Sequence, residues 1–234
     1  MTRTHEGRIN QMNEDRLLVR KLPDGKTLLL AADGLGGHPG GHVAASLVSQ
    51  YFSDQPADRL VGSLVDLLVE SSSVISRHGA AHPAIDGMGS TATAVLLDSI
   101  NIEWAHVGDC RLYHLSDKSL KSITRDQTLA QQMYERGDIS SEELTHHRLG
   151  HMLEQCLGED DIEPDSGTLT WKPGDFLLLC TDGLYNMVKD EGIHDTLSRS
   201  TRLDQMADQL MELALKAGGK DNISFILGCN VEHK

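Results

Sequence analysis

The sequence predicts an α+β fold in a single domain. Two observations carry that prediction: short β-type runs recur beside tight turns, and separate amphipathic stripes at helical spacing each need a sheet to cover. A third is negative. No internal repeat, linker-like Pro/Ser/Gly tract or long charge block marks a second domain, so residues 1–234 are expected to fold together.

The strand candidates, in order, are Arg16 to Arg20, Thr27 to Ala32, Ser90 to Asp98, Ile102 to Val107, Arg111 to Leu115, Phe176 to Cys180 and Ile223 to Cys229. Leu22-Pro23-Asp24-Gly25-Lys26 and Asp98-Ser99-Ile100-Asn101 have the composition of hairpin connectors, and Asp117-Lys118-Ser119 separates two further strand candidates. Strands joined this way pair antiparallel, which disfavours β-α-β alternation. Helical stripes fall at Val43, Leu47, Val48 and Tyr51, at Leu60, Leu64, Leu67 and Leu68, and at Leu203, Met206, Leu210 and Leu213. Between Thr128 and His151 the pattern turns polar, with Ser140 and Glu143 spaced as a capping box, and this segment is expected to be a surface insertion.

Charge excludes some functions. With 21 Lys+Arg against 35 Asp+Glu the formal charge is −14, which argues against nonspecific binding to nucleic acid or an anionic membrane. Aromatic residues make up 4%, too few for base-stacking platforms. Cys110, Cys156, Cys180 and Cys229 form no C-x-x-C pair and are expected to be buried small residues. The N-terminus has no apolar leader and no aliphatic run is long enough to span a bilayer, so the expected location is the cytoplasm.

Aspartate beside glycine marks several strand ends: Ala32-Asp33-Gly34, Val107-Gly108-Asp109, Thr181-Asp182-Gly183, and Gly219-Lys220-Asp221-Asn222 before the last strand. One such pair is an ordinary turn. The set of them, with no matching His or Cys cluster, is the ligand chemistry of hard cations such as Mg²⁺ or Mn²⁺. No EF-hand loop is present, which favours a distributed catalytic cluster. Two metals about 4 Å apart that share an aspartate can activate water and clamp a phosphoryl group, so phosphate-ester hydrolysis is the reaction suggested.

The motif order then carries a resemblance. Asn13-Glu14-Asp15, Ala32-Asp33-Gly34-Leu35-Gly36-Gly37-His38, Gly87-Met88-Gly89-Ser90-Thr91, His106-Val107-Gly108-Asp109-Cys110-Arg111, Thr124-Arg125-Asp126, Thr181-Asp182-Gly183-Leu184 and Gly219-Lys220-Asp221-Asn222 resemble the metal-dependent Ser/Thr protein phosphatases of the 2C type, in their compact bacterial form. That resemblance implies a four-layer αββα sandwich of two mainly antiparallel sheets flanked by helices. It implies hydrolysis of phosphoserine and phosphothreonine esters on proteins by a metal-bridged water or hydroxide, with no phosphoenzyme.

By the same resemblance Asp33 bridges two Mn²⁺ or Mg²⁺ ions, the Gly34 carbonyl serves the second, and Asp182 and Asp221 complete the first. Glu14 and Asp15 act through metal-bound waters, and Asp109 with Asp182 matches the place of a weaker third ion. His38 lies near the substrate in relatives with this loop, where protonation of the leaving group is one role open to it. Asn222 and Asp126 are expected to order loops around the ligands. Residues 128–151 correspond to the flap beside the active site. The implied partners are phosphoproteins, products of a cognate Ser/Thr kinase.

One position departs from the family. Asn10 stands where relatives carry the Arg that grips the substrate phosphate, and a neutral amide gives no bidentate charged clamp. Arg8, two residues earlier, would share the same face on an extended strand and is the candidate replacement. Gln127 follows Thr124-Arg125-Asp126 where His is frequent. The His147 and His151 pair lacks the Glu of H-E-x-x-H and is expected to be solvated or packed in the flap. Gly34 to Gly41 lacks dinucleotide-site glycine spacing, and no P-loop is present. The alternative function is a catalytically weak or inactive phosphoprotein-binding module of the same fold, a reading motivated by Asn10.

Overall fold

The computed structural model describes residues 1–37, 39–199 and 202–231, so His38 lies outside the described residues. Among them the strands run β1 (Thr2–His5), β2 (Arg16–Lys21), β3 (Thr27–Gly34), β4 (Ser90–Leu97), β5 (Asn101–Val107), β6 (Arg111–Ser116), β7 (Ser119–Ser122), β8 (Asp165–Thr170), β9 (Phe176–Cys180) and β10 (Ile223–Cys229). The helices are α1 (Gly41–Asp54), α2 (Leu64–Ala81), α3 (Leu129–Glu135), α4 (Ser141–Leu144), α5 (Asp182–Tyr185), α6 (Asp190–Arg199) and α7 (Leu203–Lys216).

Two five-stranded sheets result, ordered β2-β3-β4-β5-β8 and β1-β10-β9-β6-β7, and every pairing is antiparallel. Their layering follows from side-chain alternation along each strand. In β3, Leu28, Leu30 and Ala32 join the core beneath α1 and α2, whereas Leu29 and Ala31 join Val95, Leu112, Leu179 and Ile226 between the sheets. The second sheet does the same: Leu178, Cys180, Phe225 and Leu227 pack under Ile193, Met206 and Leu210 of α6 and α7. The chain is therefore a four-layer αββα sandwich. No helix among the described residues is long and apolar enough to cross a membrane.

Three local differences from the sequence reading have physical causes. The stripe from Leu60 to Leu68 is not one helix: Ala57–Leu60 is a 3-10 turn, and Gly62, with φ of 69°, interrupts the chain before α2 begins at Leu64. In α1 the fully buried face is Ala44, Ala45, Val48 and Phe52, with Val43, Leu47 and Tyr51 at its margin. Strands β1 and β8 escaped the sequence reading because both are polar sheet edges; β8 alternates half-buried and exposed residues along Asp-Ser-Gly-Thr-Leu-Thr.

Antiparallel order decides where the chemistry gathers. Adjacent strands reverse direction, so the starts of β2 and β4 and the ends of β3 and β5 share one edge of their sheet, and the starts of β6 and β10 share an edge with the end of β9. Glu14 and Asp15, Asp33, Asp109, Asp182 and Asp221 all lie at those termini.

Candidate active site

Asp33 continues the alternation that points Leu29 and Ala31 between the sheets, so the last acidic residue of β3 faces inward at the open end of the sandwich. It lines a cleft of about 690 Å³ together with Asn10, Glu14, Gly34, Asp109, Asp182 and Asp221. Two glycines allow close backbone approaches around it. A Cβ on Gly34 would lie 2.2 Å from the Gly41 carbonyl oxygen at the start of α1, and one on Gly183 would lie 1.9 Å from the Asn222 carbonyl oxygen. Only glycine permits both approaches.

The carboxylates share a pattern of hydrogen bonding. Glu14 Oε1 accepts from the His42 backbone N–H at 3.1 Å, in the first turn of α1, and Asp182 Oδ2 accepts from Asn186 Nδ2 at 3.0 Å. Asp221 Oδ1 accepts from both the Asn222 N–H (2.7 Å) and Asn10 Nδ2 (2.8 Å). Asp15 is fully enclosed, with Oδ2 accepting from the Thr181 hydroxyl at 3.0 Å and Oδ1 buried without any partner. In each of these four residues one oxygen is held by the protein; the Asp15 Oδ1 is buried without a partner, whereas Glu14, Asp182 and Asp221 line the open cleft and are half-buried or exposed. Buried polar atoms are rarely left as the Asp15 oxygen is, and an orphaned carboxylate oxygen calls for a cation or a proton.

The electrostatics agree. Burial pushes Asp33 and Asp182 well above the ordinary carboxylate range, and neighbouring carboxylates push further: chiefly Asp15 and Asp182 on Asp33, Asp109 and Asp221 on Asp182. Asp109 is raised to about 7, by burial first and then Asp126, with Arg111 partly offsetting. Asp15 is raised to about 6, by burial first, with the Thr181 hydroxyl working against it. Among the described residues no three His, Cys, Asp or Glu side chains close into a finished coordination shell. Oxygen-only donors of this kind suit Mg²⁺ or Mn²⁺ rather than a soft ion.

Surrounding residues hold these acids in place. Asn222 is buried; its Nδ2 donates to the Glu6 and Met12 carbonyls and its Oδ1 accepts from the Glu14 N–H, which fastens the loop of residues 6–14 to β10. Asp126 takes Arg111 at two points, 2.8 and 2.7 Å, and the guanidinium lies 3.7 Å over the Tyr185 ring, whose hydroxyl donates to the Asp109 carbonyl. Gln127 accepts from the Gly108 N–H at 2.7 Å, fixing the turn before Asp109. Tyr185 and Asn186 escape the sequence reading, although they directly follow the Thr181-Asp182-Gly183-Leu184 motif, which is the signal that could have found them.

Asn10 reaches the acids, but Arg8 does not follow it. Residues 7–9 form a turn rather than a strand, Arg8 is exposed, and it is absent from the cleft lining. The extended geometry expected to place Arg8 on the face of Asn10 is thus not present. The segment 128–151 carries α3, capped by Thr128, and α4, whose Ser140 and Glu143 form the expected capping box. Its end brings His151 to the cleft, while His147 stays local, its Nδ1 accepting from the Leu149 N–H.

Known proteins share this fold. The chain matches the family described as Protein phosphatase 2C over residues 3–227. It is 33% identical over 99% of its length to the serine/threonine protein phosphatase PstP of Mycobacterium tuberculosis, and spans 45% of that relative. It is 32% identical to the serine/threonine phosphatase stp of Listeria monocytogenes, covering 96% of this chain and 93% of the other. Among solved structures, a bacterial serine phosphatase superposes with a TM-score of 0.92 at 26% identity, covering 100% of this chain and 98% of that one. The PstP catalytic domain in complex with two manganese ions superposes with 0.86 at 32% identity, covering 99% and 97%. The family match covers nearly the whole chain and the fold superposes on solved members, and the chain belongs to the protein phosphatase 2C family.

Proposed function

We propose that the chain is a metal-dependent protein phosphatase that hydrolyses phosphoserine and phosphothreonine esters on proteins. The observation that carries this reading is the set of carboxylates with one oxygen pinned at one end of the sandwich, above all Asp15 with its buried, unpartnered Oδ1. Asp33 and the Gly34 carbonyl, Asp182 and Asp221 are the residues that would hold two divalent cations, with Glu14 and Asp15 acting through water and Asp109 contributing to a third. When bound, Mn²⁺ or Mg²⁺ supplies positive charge to the phosphoryl oxygens and lowers the pKa of water for in-line attack. The manganese-bound PstP catalytic domain, at 32% identity, supports that choice of ions.

The chain's own residues perform the rest. Asn222 and the Asn10 amide orient Asp221, Asn186 orients Asp182, and the Arg111–Asp126 pair with Tyr185 fixes the backbone of Asp109. Residues 128–151 act as a flap beside the cleft. All carboxylates of the cluster are present, so no observation favours a binding module without turnover. Four free cysteines, three of them buried, fit a reducing cytoplasm, where the substrates would be products of a Ser/Thr kinase.

The test is phosphate release from a phosphothreonine peptide across a Mn²⁺ titration, with EDTA and Asp182→Ala as controls. Metal-dependent turnover that disappears in Asp182→Ala establishes the phosphatase. A folded protein that binds the phosphopeptide and never releases phosphate overturns it in favour of the module.

A further inference from the structure

A second cavity of about 740 Å³ lies beside the acid cleft, between the flap end, residues 144–151, and α5 with the Lys220–Asp221 loop. Asp182, Asp221 and His151 line both cavities. A polypeptide whose phosphorylated side chain sits at the acids can therefore continue into this space. Its volume is within the range, roughly 300–1,000 Å³, of cavities that enclose ligands.

The charge in this cavity differs from that of the chain as a whole, which is −14. Arg111 is already committed to Asp126 through two hydrogen bonds. Arg148 on the flap and Lys220 on the facing loop are both exposed, and neither has a hydrogen-bond or ion-pair partner among the described residues. The two carboxylates shared with the cleft are those assigned above to divalent cations, so the remaining uncommitted charge is positive.

Lys220 sits on a braced loop, and the flap that carries Arg148 is tied down at its base. Gly218 and Gly219 adopt φ of 132° and 52°, the Arg8 N–H donates to the Gly219 carbonyl at 2.7 Å, and a Cβ on Gly7 would lie 2.3 Å from the Asp221 carbonyl oxygen. The N-terminal turn thus clamps the loop that presents Lys220. At the flap base, the Leu129 N–H donates to the Met152 carbonyl (2.8 Å) and the Glu154 N–H to the Gln127 carbonyl (2.7 Å).

We infer that this cavity receives acidic side chains flanking the phosphorylated residue of a polypeptide substrate, with Arg148 and Lys220 as the recognising groups. The inference rests on the phosphatase reading and names its substrate class. It also gives the positive charge lost at Asn10 a second source, on the flank of the substrate instead of on its phosphate. A basic flank would meet two unpaired cations and be disfavoured.

The experiment compares phosphothreonine peptides that differ only in having Glu or Gln at the flanking positions, on either side, with the full chain in saturating Mn²⁺. Glu peptides on at least one side are expected to show kcat/KM higher by about fivefold at low salt, an advantage that shrinks as salt is added. In Arg148→Ala/Lys220→Ala the Glu-to-Gln ratio should fall to about one, and in Arg148→Glu/Lys220→Glu it should invert; Mn²⁺-induced thermal stabilisation checks that each variant is folded. Equal turnover of Glu and Gln peptides by the unmodified chain, or a preference that persists in both double variants, overturns the inference and leaves the phosphatase reading intact. No turnover of any peptide overturns the phosphatase reading and this inference with it.

Discussion

Asn10 donates from Nδ2 to Oδ1 of Asp221 across 2.8 Å, joining the position that lacks the family's phosphate-gripping Arg to a carboxylate of the candidate metal cluster. Where the family resemblance implies an Arg that serves the substrate, Asn10 holds Asp221, a proposed metal ligand. Asn10→Ala is expected to raise the Mn²⁺ concentration for half-maximal activity by about tenfold, the low end for residues that support metal ligands, with kcat at saturating metal little changed. Asn10→Arg should lower KM for a phosphothreonine peptide, since a guanidinium offers the phosphate two charged hydrogen bonds. Unchanged metal dependence in Asn10→Ala would show that the hydrogen bond to Asp221 is idle.

Burial and then the charges of Asp15, Asp182, Asp109 and Asp221 all raise the pKa of Asp33. Its removal therefore pulls stability and activity in opposite directions. Asp33→Asn should cost turnover about 10²–10³-fold or more at saturating Mn²⁺. In EDTA at pH 8 the same variant should melt about 2–4 °C above the unmodified protein, for each kcal/mol of repulsion relieved. Scanning calorimetry with and without metal checks both signs, and a lower Tm of the variant in EDTA contradicts the assignment.

The metal-free protein should lose stability as pH rises. Asp15 and Asp109 sit at about 6 and about 7, and Asp33 and Asp182 are raised well above the ordinary range, whereas an unfolded Asp titrates near ~3.9. Between those values the folded state binds more protons than the unfolded one, so unfolding free energy falls with pH. The stability is fully present below pH ~4 with respect to these groups and is lost as pH passes through 6 to 7 and beyond. Tm in EDTA is expected to drop from pH 5.5 to pH 8, while the stabilisation from added Mn²⁺ grows. A Tm in EDTA that rises over the same interval would count against the raised values.

Gly183→Ala tests the close approach behind Asp182. The new Cβ would stand 1.9 Å from the Asn222 carbonyl oxygen and 3.4 Å from the Asp221 Cβ, so the loop carrying both residues must move. We expect a loss of about 1–3 kcal/mol in urea unfolding together with a higher Mn²⁺ requirement. Gly25→Ala is the contrast: Gly25 also has a positive φ (88°), but nothing lies within 4 Å of its missing Cβ, so stability alone should fall.

By itself the sequence determined the antiparallel pairing, the two helix-covered faces and the identity of the clustered acids, because aliphatic alternation, tight turns and Asp-Gly strand ends are local patterns. It missed β1 and β8, since polar edge strands such as Thr2–His5 carry little pattern and are held by their neighbours β10 and β5. It joined Leu60 to α2 because periodicity ignores the left-handed Gly62. Tertiary structure alone decided that Arg8 lies in a turn and not among the residues lining the cleft, that Asn10 binds Asp221, and that Asp15 keeps one oxygen unpartnered. Only packing sets Arg148 and Lys220 on two walls of one cavity, though 72 positions separate them in sequence. Each of these is a relation between segments distant in sequence, fixed by how two sheets stack and which loops their shared end brings together.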